Sequence, residues 1–183
     1  MALVPHAAFA HIGVGSTAPF AAGFAHPFSG LDHIAVMVSV GLWAALKGGR
    51  ALWAWPLAFV SVMLAGGALG MAQIHVPFVE PGILASVMAI GLLVALAIDL
   101  PVWLGAGVMG LFAVFHGHAH GTEVAENVSG LEYMAGFALA TASLHAVGLG
   151  MAFGLAGLKM RAAIRLAGVG CVALGIALAI GIV

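Results

Sequence analysis

The sequence predicts an all-α polytopic membrane protein, with about six transmembrane helices in one bundle. Three observations carry that expectation. Hydrophobic residues make up 64% of the chain and charged residues 6%, where an ordinary soluble domain is about one quarter charged. The apolar residues fall into runs of the length a bilayer demands, about 20 helical residues each. Short turns bearing Gly, Pro and the few charges separate those runs. A net charge of −1 with neutral histidines gives no footprint for nucleic acid. The single cysteine, Cys171, sits in an apolar run and reads as a small buried hydrophobe. Nine histidines stand against five Lys plus Arg, and imidazole is a borderline ligand suited to nickel, cobalt, copper and zinc.

Residues 1–10 end in Ala8-Phe9-Ala10, the small-x-small pattern of a secretory cleavage site. They lack a basic start and a full apolar core. The expectation is a signal-peptide remnant or, equally, an ordinary disordered start. Cleavage after Ala10 would leave His11 at the N-terminus, where amine and imidazole can chelate a metal together. Residues 11–183 then form a single transmembrane domain. Residues 11–25 are rich in Gly, Ala and Phe without a clear period, and read as an interfacial or re-entrant approach.

The first span, about 28–46, opens with His26-Pro27-Phe28-Ser29-Gly30-Leu31-Asp32-His33. Pro27 suits the first turn of a helix, where its missing N–H costs nothing. In a continuous helix His26 and His33 lie within about 20° of one face but about 10 Å apart along the axis. One ion reaches both only through stretched side chains or a distorted first turn. A site shared with another helix is easier. Asp32 either ligates, orients a ligating imidazole as an acceptor, or answers the helix dipole.

Lys47-Gly48-Gly49-Arg50 is a basic turn. The second span, about 51–72, carries Trp53 and Trp55 near its start as interfacial aromatics. Gly66 and Gly70 form a small face for close helix approach. The turn that follows holds His75 and Glu80, which extend a metal path or are simply solvated. The third span, about 82–98, ends at Asp99, expected at the interface. The fourth, about 102–119, ends in Phe115-His116-Gly117-His118-Ala119-His120-Gly121-Thr122-Glu123. The loop to Leu131 holds Glu123 and Glu126. The fifth span, about 132–157, buries His145 near its middle, either bonded to a neighbouring helix or serving as a relay ligand. A basic turn with Lys159, Arg161 and Arg165 precedes the sixth span, about 166–183.

Helical periodicity of 100° per residue puts His116, His120 and Glu123 on one face, with His118 pointing away. Histidines at i and i+4 can share one metal ion. Ionisable groups are costly in a membrane, which favours a task for this cluster over a merely solvated helix end. All five Lys and Arg fall in the turns after spans one and five. The positive-inside rule places those turns in the cytoplasm and both termini outside. The His26–His33 and His116–Glu123 motifs then meet at one level, the outer one. No Gly-x-x-x-x-Gly-Lys-Ser/Thr motif occurs, so no ATP engine is recognisable.

His26-Pro-Phe-Ser-Gly-Leu-Asp32-His33 together with Phe-His116-Gly-His118-Ala-His120-Gly-Thr-Glu123 resembles the HupE/UreJ family of bacterial nickel/cobalt transporters. The likeness covers essentially the whole chain. It implies a multi-pass inner-membrane permease moving Ni(2+) or Co(2+) as substrate, with no organic cofactor. It further implies a functional link to hydrogenase, urease or cobalamin maturation. The implied metal residues are His26, Asp32, His33, His116, His120 and Glu123, with His118, His145, His11 and His75 as further candidates. The partners expected are the divalent metal ion and the lipid bilayer, and not nucleic acid.

Three other classes compete. An intramembrane metalloprotease would want His-Glu-x-x-His, whereas His-Gly-His-Ala-His leaves no general base between the ligands. A haem carrier could use paired helical histidines. A sensor or storage protein would bind metal without moving it. The expectation is a transporter and not an enzyme.

Overall fold

The computed structural model describes residues 19–124 and 129–182. It is all-helical over them: α1 (Pro19–Ala25), a 3-10 turn (His26–Phe28), α2 (Leu31–Lys47), α3 (Ala51–Met71), α4 (Val79–Ala95), α5 (Val102–Glu123), α6 (Gly130–Gly157) and α7 (Arg161–Ala179). Four helices, α3, α5, α6 and α7, are each long and apolar enough to cross a membrane. The segment Pro19–Phe28 and α2 meet the same test as a pair, but they are bent by 82° at the break. The apolar helix α4 has 17 residues. The chain is thus a polytopic helical membrane protein. Signal-like residues 1–10, with His11, and Glu126 in the 125–128 stretch lie outside the described residues.

Several local expectations change. The first span does not run unbroken from residue 28. Pro27 sits in the 3-10 turn, and α2 starts four residues beyond it, at Leu31, after Gly30 in an extended conformation. Glycine loses more conformational freedom in a helix than any other residue, so a break at Gly30, where φ is −111° and ψ 126°, is inexpensive. α5 continues past residue 119 to Glu123, so Glu123 is helical and not in a loop. Arg161 and Arg165 belong to the first turns of α7 rather than to the preceding turn. Trp53 is exposed, as an interfacial aromatic should be, but Trp55 is fully buried. Its ring lies 4.2 Å from that of Trp43, and its indole N–H donates to the carbonyl of Val102 at 2.9 Å. A buried indole needs such a partner.

Glycines set the helix seams. A Cβ at Gly66 or Gly70 of α3 would run into the backbone carbonyls of Val114 or His118 on α5. Gly117 and Gly121 of α5 repay the approach, seated against the carbonyls of Met63 and Gly67. In a membrane, where apolar contact alone gives no advantage over lipid, such close backbone packing is what holds helices together. The seam also orients α5: with Gly117 and Gly121 against α3, His116 and His120 turn toward α2 and α4. On the α2–α6 seam Gly41 receives the carbonyl of His145.

The two ends of the bundle differ in charge. At one end Lys47 of α2 pairs with Asp99, and the Arg165 guanidinium donates to the carbonyl of Ala95 at 2.7 Å. Gly48 and Gly49 turn the chain there with φ of 73° and 57°. The histidines of α2 and α5 lie at the opposite end.

Candidate metal site

The break before α2 brings together what a straight helix would hold apart. The ring centroids of His26 and His33 are 6.5 Å apart, edge to face. His120 comes in from α5 and contacts both, with centroids 4.5 Å from His26 and 4.6 Å from His33. His116, one turn earlier on α5, stacks its edge on His33 at 5.1 Å. Phe137 of α6 closes the floor under His120 at 4.4 Å. Three of the four imidazoles, His33, His116 and His120, are buried.

Hydrogen bonds to carboxylates set the protonation of the central pair. An ionised carboxylate only accepts. The Nδ1–H of His33 donates to Asp32 at 3.0 Å, and the Nδ1–H of His120 donates to Glu123 at 3.2 Å. Each imidazole then carries its lone pair on Nε2. Those two Nε2 atoms face each other at 2.6 Å. Two lone pairs cannot face each other at that distance without a proton or a cation between them. Nitrogen ligands of a tetrahedral ion at about 2.05 Å stand about 3.3 Å apart, so an entering metal spreads the rings by roughly 0.7 Å. Carboxylate behind imidazole behind metal is the recurring arrangement for orienting such ligands.

Glu123 has a second neighbour: its Oε2 lies 3.6 Å from Nε2 of His26. His26, His120 and Glu123 each present one donor atom, all within 4.8 Å of one another. His120 is therefore the junction of two donor groups, one with His33 and one with His26 and Glu123. Glu123 is about half exposed, which leaves the cluster open at this end.

His116 is fixed differently. Ser86 of α4 donates its hydroxyl to the carbonyl of Ile83 at 2.5 Å. Its oxygen therefore accepts from Nε2–H of His116 at 2.9 Å, leaving a lone pair on Nδ1. That Nδ1 is buried without a hydrogen-bond partner among the described residues. His118 points away as helical periodicity requires: its Nε2–H donates to the carbonyl of Ile74 at 2.8 Å. His75 is exposed and lines, with His118, Gln73 and Thr122, an open cavity of about 470 Å³. Glu80 is exposed at the start of α4. His145 lies deep in α6, with its ring edge to face against Phe59 of α3 at 5.3 Å.

Some contributors carried no recognisable signal. Ser86 is one hydroxyl in an apolar helix. Phe137 is one of ten phenylalanines. Tyr133 had a weak signal as the single tyrosine of the chain; its ring stands 6.1 Å from that of His26, and its buried hydroxyl has no partner among the described residues.

Helices that hold converging imidazoles and carboxylates at one end of an apolar bundle define a polytopic membrane protein with a candidate metal site. The chain belongs to the HupE/UreJ family: the family model described as "HupE / UreJ protein" matches residues 1–178. It is similar to Protein HupE of Rhizobium leguminosarum bv. viciae, with 47% identity over 142 residues, 78% of this chain and 74% of the relative. No solved structure matches.

Proposed function

We propose that this protein takes up divalent transition-metal cations, nickel or cobalt, across the bacterial inner membrane. Entry is through the His/Asp/Glu cluster at the outer ends of α2 and α5. The observation that supports this most is the opposed Nε2 pair of His33 and His120, each backed by its own carboxylate. Imidazole and carboxylate without thiolate suit nickel, cobalt or zinc; family membership favours the first two and a link to hydrogenase, urease or cobalamin maturation.

In this reading α2 to α7 are six spans of a single transmembrane domain, and both termini are outside. Lys47, Arg50, Lys159, Arg161 and Arg165 then mark the cytoplasmic end. The Lys47–Asp99 and Arg165–Ala95 contacts gather that end in space. Glu123 and Glu80, exposed at the other end, meet an incoming cation first.

Two positive charges crossing an inside-negative potential gain about 4.6 kcal/mol per 100 mV. That equals roughly three powers of ten in concentration, so uniport suffices energetically. The test is nickel and cobalt flux into proteoliposomes under an imposed inside-negative potential, wild type against His33→Ala/His120→Ala. Potential-driven flux that disappears in the variant is expected. Tight binding with no flux in the wild type would instead make this a sensor or storage protein.

A further inference from the structure

His145 is the deepest ionisable group of α6. It stands 15 residues from Gly130 and 12 from Gly157, about 22 Å and 18 Å along the helix. It is 1% exposed, and neither ring nitrogen has a hydrogen-bond partner among the described residues. A buried polar atom left without a partner forfeits its hydration with nothing in return, so an imidazole held here with both nitrogens idle calls for a ligand. Its backbone is not free to relieve the cost, because the His145 carbonyl is seated on Gly41 of α2.

The surroundings supply further donors. Thr141 lies one turn before His145 on the same face of α6 and is fully buried. Its hydroxyl donates to the thioether sulfur of Met63 at 3.7 Å, which leaves the oxygen lone pairs unused. Met63 lies one turn after Phe59 on α3. The Phe59 ring meets His145 edge to face at 5.3 Å and meets His116 at 5.7 Å. Phe59 is thus the neighbour that the two imidazoles share. His116 brings its own idle Nδ1 lone pair to that neighbourhood.

We propose that His145 is an inner metal-binding station in the membrane core, reached from His116 past the Phe59 ring. It takes a borderline divalent cation through an imidazole nitrogen, with the Thr141 hydroxyl and the Met63 thioether beside it. The proposal rests on the reading of the His33–His120 cluster as the entry site. A bare divalent ion is far too costly in the apolar core; a single deep ligand divides that barrier into two lower ones. Conduction needs sites that bind well enough to admit an ion and weakly enough to release it. One imidazole with a hydroxyl and a thioether is a weaker set than the carboxylate-backed pair at the entry, so it releases the ion readily, while the inside-negative potential sets the direction of net movement.

The test is nickel flux and equilibrium nickel binding on full-length protein in proteoliposomes, comparing wild type, His145→Leu and His120→Ala. His145→Leu keeps the volume and removes the donor. It is expected to lower maximal flux by about tenfold or more while the half-saturating nickel concentration holds, since even loss of a group that only supports a metal ligand typically costs about 10–100-fold. Wild-type flux in His145→Leu, with His120→Ala inactive, overturns the inner station and leaves the entry site standing. Wild-type flux in His120→Ala overturns the entry reading instead. A second measurement does not depend on flux: Cys171→Ala/His145→Cys protein titrated with cobalt(II). A cobalt–thiolate charge-transfer band in the near ultraviolet is expected, and its absence at saturating cobalt overturns the proposal.

Discussion

His33 and His120, 87 residues apart in the chain, turn their Nε2 atoms toward each other at 2.6 Å while each donates from Nδ1 to its own carboxylate. The pair is built for a positive charge. Removing one imidazole removes both a ligand and the reason for the other's orientation. His120→Ala is expected to lower nickel affinity by about 100-fold or more, because His120 also meets His26 and Glu123. Losing only the hydrogen-bond partner behind a ligating imidazole typically costs about 10–100-fold. Equilibrium titration of the detergent-solubilised variant measures it, and an unchanged affinity would remove His120 from the site.

Asp32→Asn keeps the shape of the side chain but loses the charge that holds the His33 Nδ1–H. The amide can present its NH₂ to the ring and favour the other tautomer, with the lone pair on the wrong nitrogen. Nickel affinity is expected to fall about 10–100-fold with protein abundance unchanged. Glu123→Gln does the same to His120, and the two effects should not add, since both act on one shared nitrogen pair.

His118→Ala separates the two faces of α5. Its ring bonds to the Ile74 carbonyl and not to the cluster. Flux at saturating nickel should stay within about twofold, with a stability loss of about 1 kcal/mol for the hydrogen bond. Loss of flux at normal abundance would show that the path runs on the His118 side.

Gly117→Ala tests the scaffold. The added methyl meets the Met63 carbonyl, which is backbone and has no rotamer to retreat to. Overpacking of this kind costs about 1–3 kcal/mol. Lower abundance in membranes and an earlier thermal transition are expected, whereas Gly107→Ala, which meets nothing, should behave as wild type.

Ser86→Ala removes the oxygen that accepts from His116 Nε2–H. Both His116 nitrogens are then without a partner, and the lone pair is no longer held on Nδ1. Maximal flux is expected to fall by a fewfold while outer binding holds, read in the same vesicle assay. Equal flux would mean that the His116 tautomer does not matter to passage.

The helices and their membrane character were legible in the sequence, because hydropathy and turn residues act locally. So was the face pattern of α5: 100° per residue puts His116, His120 and Glu123 together and His118 elsewhere whatever the rest of the chain does. Gly66 and Gly70 also announced a close seam, although not that Gly117 and Gly121 would form its other half. The failures were non-local. Trp53 and Trp55 look alike in the sequence, and only packing against Trp43 buries the second. The His26–His33 spacing left a distorted first turn as one way for the two rings to approach, and only the structure shows that distortion, as the 82° break.

By itself the sequence determined an apolar helical chain, the donors it carries and the side of each helix on which they stand, since these follow from composition and a fixed helical period. Only the tertiary structure decided which donors meet. It placed His120 between His26 and His33, put Ser86 behind His116, and set His145 against Phe59. Such meetings depend on the bend before α2 and on glycine seams that set how helices from distant parts of the chain are spaced and rotated, and no local period encodes that.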